Sequence, residues 1–479
     1  MKKKLAKLMC TLVSATLLCS SVSVFAAETS TIPGNPETIP ENLEIDWMTR
    51  YHYSELEDQV AEMAATYPEL TEKYSIGTSW QERDLWCLEI TNEEIPAEEK
   101  TGIGVVGPIH GGEREAASCA MYFAWWMLLN SDTEYVQNIL DNYILYVIPS
   151  INPDGYEQSF VINTRQNLHP RDLDGDGIMF SDPYTDIDGD GYIATVYSGT
   201  ADMEPSNPRD LPEGMKSFGT ESPDWNGDGI MGNDPRNSGI DMNRTFDYQW
   251  GRYDIETADS ENPIGGITSP VITAAAQEPE IQAIQKFMQT HEMNALVALH
   301  TGEQSVLYPW CYRAYDETEE KDADLPLMAE IAANMAAAAA ETTGRDFYSI
   351  DSHADYPTSA ELIDYAFGKF NIHAYTIEVY AGGEGEYRWG NTLPEATWVF
   401  YTQDELAEMG LDVENLTNAA GDKLAEDEGL WFYTSSSNQM ADKVPEDQDI
   451  MVQGIKDAIL VMIGSEPCGN GYSLPDYMK

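Results

Sequence analysis

The sequence predicts an α/β fold, a mixed and mostly parallel β-sheet flanked by helices and interrupted by long loops. Three observations carry that expectation. Short runs rich in Val, Ile, Leu and Ala recur at 85–90, 102–107, 144–150, 295–300, 306–310 and 374–379, of strand length and bounded by turn residues. Longer stretches with helical apolar spacing alternate with them, at 54–67, 116–130, 278–291, 325–343, 360–370 and 449–463, the pattern of a sheet with covering helices. Two of the strand-like runs end on chemistry-bearing residues, His300 and Glu378. Those are positions from which a parallel strand delivers a side chain to the sheet's carboxyl edge.

Taken from the N-terminus, residues 1–26 open with Lys2, Lys3, Lys4 and Lys7, continue as an apolar run over 8–18 and close on Val24, Phe25 and Ala26. This is the pattern of a secretory signal peptide, too short for a comfortable membrane span, with cleavage expected after Ala26 or, alternatively, Ala27. Leu18 is bulky where a lipid-attachment site before Cys19 would want a small residue. The mature chain is therefore expected outside the cell, free or associated with the cell wall. Residues 27–50, rich in Pro, Thr and Glu, read as a linker. Residues 51–465 form the main domain and 466–479 a tail.

The chain carries 26 basic and 83 acidic residues, a formal net charge of −57. That balance argues against nucleic acid or an anionic membrane as partner, since both would be repelled. Outside the leader stand Cys87, Cys119, Cys311 and Cys468. An even number in an oxidising compartment permits disulfides, though Cys87 and Cys119 suit core thiols equally.

Two insertions interrupt the alternation. Residues 166–240 are polar and rich in Gly, Asp and Pro, and are expected to lie on the surface outside the core. They hold three acidic loops: Asp172, Asp174 and Asp176; Asp186, Asp188 and Asp190; and Asp224, Asn226 and Asp228, each with glycines at the turn. Oxygen ligands at alternate positions with a glycine for the sharp bend are the front half of a calcium loop, so structural Ca2+ is expected. The usual closing Glu is missing, with Pro183, Tyr197 and Pro235 in its place. Asp182 and Asp234, one residue earlier, could close the first and third loops. The second insertion, 381–447, is acidic, aromatic and loop-rich.

Between the strand-like 102–107 and the helical 116–130 lies Gly107-Pro-Ile-His-Gly-Gly-Glu-Arg-Glu115. His110 and Glu113, three residues apart on a strand-to-helix turn, can aim at one point. They would be two of the three protein ligands of a catalytic zinc site. That spacing alone equally suits a capping or surface pair. His300 is a natural third ligand and Glu378 can reach the same edge.

With these residues, Asn152-Pro-Asp-Gly155 and Asn243-Arg244, the chain resembles the zinc carboxypeptidases of the carboxypeptidase A type. The resemblance implies one catalytic Zn2+ held by His110, Glu113 and His300, with Glu378 as general base. It implies that Asn243 and Arg244 grip the terminal carboxylate of a peptide or protein C-terminus, and that Tyr356 closes over the bound residue. An Arg should face the oxyanion; Arg165 and Arg171 both qualify by position, with Arg165 favoured. Ile363 stands at the specificity position, which implies release of apolar or aromatic residues. Two other readings share these residues: a peptidoglycan stem-peptide hydrolase on the same scaffold, and a calcium-stabilised binding module without activity.

Overall fold

In the computed structural model the apolar runs become strands stacked in one sheet. The structure describes residues 33–225, 227–235, 239–251, 274–380, 396–435 and 444–466. The expected signal peptide, Asn226, Cys468 and nearly all of the tail lie outside the described residues. In chain order the strands are β1 (Thr71–Thr78), β2 (Asp84–Ile90), β3 (Thr101–Val106), β4 (Tyr143–Ile148), β5 (Thr195–Gly199), β6 (Lys216–Thr220), β7 (Met293–His300), β8 (Ser305–Tyr308), β9 (Tyr348–Asp351), β10 (His373–Glu378), β11 (Thr397–Tyr401) and β12 (Gly429–Thr434).

Eight of them form a mixed sheet in the order β1-β2-β4-β3-β7-β10-β8-β9. Its centre is parallel: β4 beside β3, β3 beside β7, β7 beside β10. Strands β3 and β4 are buried at every position, as a parallel sheet covered on both faces demands. One face packs helices Arg114–Leu129, Leu325–Thr343 and Gln448–Ser465, and the other packs Pro279–Thr290 and Leu362–Phe370. The Ala-rich helix Leu325–Thr343 uses the strongest helix former and stops at Gly344, whose φ of 69° is left-handed. The antiparallel edge strand β1 and helix Glu134–Asn142 escaped the sequence reading.

One expectation is corrected. The expected linker is packed onto the domain over its described part: Leu43 is buried, Trp125 Nε1 donates to its carbonyl at 2.9 Å, and Trp47 stacks edge-on against Tyr122 and Trp125. Among the described residues, the 166–240 insertion contributes nothing to the main core but has an apolar cluster of its own. Its β5 and β6 join β11 and β12 of the other insertion in a second sheet, ordered β11-β12-β5-β6. Val196, Phe218, Met231, Leu406, Leu430 and Phe432 make a separate apolar cluster beneath it. The two insertions, distant in sequence, are one small folded unit.

Cys87, Cys119 and Cys311 are free and buried. No helix among the described residues is long and apolar enough to cross a membrane.

Candidate metal centre and substrate cavity

The turn after β3 is held by the turn after β4. Asn152 donates from Nδ2 to the Ile109 carbonyl at 2.9 Å, and Ser150 donates to that of Pro108 at 3.1 Å. The approach is so close that a Cβ on Gly111 would lie 2.2 Å from the Gly155 carbonyl, which only glycine tolerates there. Asn152-Pro-Asp-Gly155 thus serves as a brace for the His110 turn. Glu113 is the N-cap residue of helix Arg114–Leu129, yet its side chain makes no capping hydrogen bond. It turns instead toward the histidines: Oε1 lies 2.7 Å from His110 Nδ1 and Oε2 lies 3.0 Å from His300 Nδ1.

His300 arrives as the last residue of β7. The donor atoms of His110, Glu113 and His300 lie within 4.8 Å of one another, and all three residues are buried. Two imidazole nitrogens and one carboxylate converging at a strand edge are the donor set of a three-ligand zinc site. The residues present fit the metal. Burial disfavours the charged Glu113, but the adjacent imidazoles outweigh it and hold the carboxyl well below its usual range.

The outer nitrogen of His110 meets a residue the sequence reading missed. Asp241 Oδ1 lies 3.2 Å from His110 Nε2, the usual way a carboxylate orients a metal-binding imidazole. Burial and Arg165 work against the protonated His110, while Glu113 and Asp241 raise its pKa overall. Asp241 also caps the short turn Met242–Arg244 by accepting from Asn243 N at 3.0 Å. An acid two residues before Asn243 was the available signal. Arg165 reaches the same place, with Nη2 3.0 Å from His110 Nε2 and 3.4 Å from Asp241 Oδ2. Arg171 instead lies in the insertion, where its guanidinium feels the charge of Asp234.

Glu378 closes β10, directly opposite His300 in the register of the parallel pair. Burial pushes its carboxyl up to about 8, and Glu113 adds to the rise. Its Oε2 accepts no hydrogen bond among the described residues. Gly302 leaves it room, since a Cβ there would stand 3.2 Å from that oxygen. An open cavity joins these groups, lined also by Arg165, Asn243, Glu303, Asp355, Tyr356 and Glu361.

Arg244 sits behind Asn243, 7% exposed, and is already engaged. Its Nη1 donates to Glu361 Oε1 at 2.8 Å and its Nη2 to the Tyr356 hydroxyl at 3.3 Å. Asn243 Oδ1 accepts from Leu362 N at 3.0 Å, which ties the Asn-Arg turn to the segment carrying Glu361. The structure corrects the expectation for Ile363. It lies in the first turn of helix Leu362–Phe370 with its side chain turned into the core, 1% exposed among Phe246, Tyr365 and Leu362. It is not among the residues lining the cavity, where Glu361 stands instead.

Away from this site, the donor atoms of Asp172, Asp174 and Asp176 converge, and those of Asp186 and Asp188 converge with Glu221. Glu221, at the end of β6, was not foreseen. Asp190 is held separately, by Thr434 Oγ1 at 3.4 Å. In the third loop Asp224 and Asp228 accept backbone amides, at 2.7 Å from Gly227 and 2.6 Å from Ile230. Asp182 Oδ1 accepts from Trp225 N of the third loop at 2.9 Å, and the charges of Asp174 and Asp172 of the first loop act on Asp234.

The family described as zinc carboxypeptidase matches residues 56–406. Carboxypeptidase B of Astacus astacus is 33% identical over 116 residues, 24% of this chain and 37% of that protein. Carboxypeptidase D of Mus musculus is 30% identical over 135 residues, 26% of this chain and 10% of that protein. These matches thus span well under half of either relative. Among solved structures, carboxypeptidase A from Helicoverpa armigera superposes with a TM-score of 0.51 at 18% identity, covering 81% of this chain and 74% of that one. Thrombin-activatable fibrinolysis inhibitor does so with a TM-score of 0.50 at 17% identity, covering 71% and 69%. Both show a shared fold. With the family matched over most of its length, the chain belongs to the zinc carboxypeptidases.

Proposed function

We propose that this protein is a secreted zinc metallocarboxypeptidase that hydrolyses the last peptide bond of peptides and protein C-termini. The observation that carries the reading is the convergence of His110, Glu113 and His300 opposite Glu378 in one cavity. Zinc bound by those three would polarise the scissile carbonyl and acidify water beside it. Glu378 accepts the proton of the attacking water and passes it to the departing amine. Arg165 directs N–H groups to the oxygen on which negative charge develops. Arg244 and Asn243 take the substrate's terminal carboxylate, Arg244 exchanging its contact with Glu361 for that anion.

That exchange bears on specificity. Once Arg244 turns to the substrate, the buried Glu361 carboxylate keeps only the neutral Thr358 hydroxyl and Cys311 thiol as partners among the described residues, and its charge is left uncompensated. A cationic C-terminal side chain would compensate it, so we propose Glu361 as the selecting residue and Lys or Arg as the preferred leaving residue. The leader pattern supports secretion, and the acidic loops support structural calcium.

The test of the catalytic assignment is Glu378→Gln, which should leave zinc content unchanged and reduce kcat by about 10²–10⁴-fold. Residual activity near wild type in zinc-loaded protein would remove Glu378 as the base.

A further inference from the structure

We propose that the first acidic loop is a calcium site completed across the chain, with Asp172, Asp174 and Asp176 joined by Asp234 from the far end of the third loop. This deepens the calcium reading above and does not depend on the peptidase chemistry. The loop itself is only half of a site. Gly175 and Gly177, with φ of 84° and 87°, fold it so that the three carboxylates converge. Asp172 also accepts the loop's own amides, from Gly175 at 2.7 Å and Gly177 at 3.0 Å. An acidic turn of that kind can stand without an ion.

Asp234 is the independent observation. It is fully buried, and among the described residues neither of its carboxylate oxygens accepts a hydrogen bond of good geometry. The backbone of Leu173 and Ser181 lies beside its carboxylate, and the charges of Asp174 and Asp172 act on it. Arg171 feels the charge of Asp234 but forms no ion pair with it among the described residues. A buried carboxylate turned toward further carboxylates is costly unless a cation lies between them. A hard divalent cation with all-oxygen ligands meets that need, and Ca2+ is the one this loop pattern serves.

The crossing is built into the backbone. Asp182 N donates to the Asp234 carbonyl at 3.2 Å, and Ser222 Oγ donates to the Pro183 carbonyl at 3.1 Å. The stretch leaving the first loop therefore runs alongside the third, and each loop meets the other's trailing aspartate.

The site also bears on the cavity. At the root of the insertion Asn167 N donates to the Ile240 carbonyl at 3.1 Å, and Ile240 N to Asn167 Oδ1 at 3.0 Å. Within two residues of this pair stand Arg165 and Asp241, which both reach His110. An ion linking residues 172–176 to 234 closes the insertion just above that root and so steadies both.

The test is calcium stoichiometry on the full-length, zinc-loaded protein, titrated with calcium chloride alone and read by calorimetry and metal analysis. Asp172→Asn, on an exposed loop, and Asp234→Asn should each remove one and the same calcium equivalent or weaken it at least ~10-fold. The double variant should lose no more than either single one. If Asp234 serves the third loop instead, the double variant will lose two equivalents and the proposal falls. Wild-type protein that binds no calcium would overturn it outright. Zinc content, measured in the same samples, reports separately on the catalytic centre, so failure of this proposal is distinguishable from failure of the peptidase reading. Should Asp234→Asn fold poorly, Asp172→Asn carries the test: unchanged stoichiometry and affinity there would refute the site.

Discussion

Replacing Asp241 by Asn separates charge from geometry at the zinc centre. Asn caps a helical turn about as well as Asp, so the hydrogen bond to Asn243 N at 3.0 Å can persist and the Asn243-Arg244 turn should keep its shape. What is lost is the negative charge 3.2 Å from His110 Nε2. That charge favours electron donation by an imidazole that is only 3% exposed. Removing such a partner typically weakens metal affinity 10–100-fold, or about 1.4–2.7 kcal/mol. The contact is long and the Asp241 side chain is 26% exposed, so the lower end, about tenfold, is expected. The variant and wild type would compete for zinc against a chromophoric chelator, with thermal unfolding as the check on folding. Zinc affinity equal to wild type in a folded variant would refute the orienting role of Asp241. A loss no greater in Asp241→Ala than in Asp241→Asn would support charge over shape.

Three further outcomes follow from the geometry. Gly111→Ala puts a Cβ 2.2 Å from the backbone of Gly155, whereas Gly112→Ala meets the Asn163 side chain at 1.9 Å. The first must move main chain and the second only a side-chain end, so unfolding measurements should show about 1–3 kcal/mol lost for Gly111→Ala and less for Gly112→Ala. Glu361→Gln should lower kcat/KM for C-terminal Lys and Arg at least ~10-fold relative to Leu or Phe; an unchanged ratio would free Glu361 from the role. Burial, with Asp188 adding, pushes Glu221 up to about 7. Without calcium the folded chain therefore holds a proton that the unfolded chain has released, and stability falls as pH rises through that range. Calcium, which binds the ionised carboxylate, should reverse the trend, visible as Tm at pH 5 and pH 8 with and without calcium chloride. Glu221→Gln should flatten the calcium-free slope.

Much of the site was legible because its signals are local. A strand ending on a ligand, a Gly-Gly turn between strand and helix, and the Asn243-Arg244 pair each sit within a few residues. What escaped depends on contacts across long chain separations. Glu361 meets Arg244 across 117 residues, and Asp241 meets His110 across 131. The second sheet pairs β12 with β5, two short strands each set in polar, loop-like sequence, with β7, β8, β9 and β10 of the main sheet between them in the chain. The side chain of Ile363 turns inward because its helix begins at Leu362, a boundary the apolar spacing of 360–370 does not mark. The Pro-rich 27–50 looked solvated by composition, yet Leu43 and Trp47 find a docking face on the helix that carries Trp125.

The most direct measurement is hydrolysis of blocked dipeptides differing in their C-terminal residue, with and without a zinc chelator, beside a muropeptide control. Chelator-sensitive release of the C-terminal amino acid, restored by added zinc, is the result the account predicts. No cleavage of any dipeptide by folded, zinc-loaded protein, or cleavage of the muropeptide alone, would contradict it.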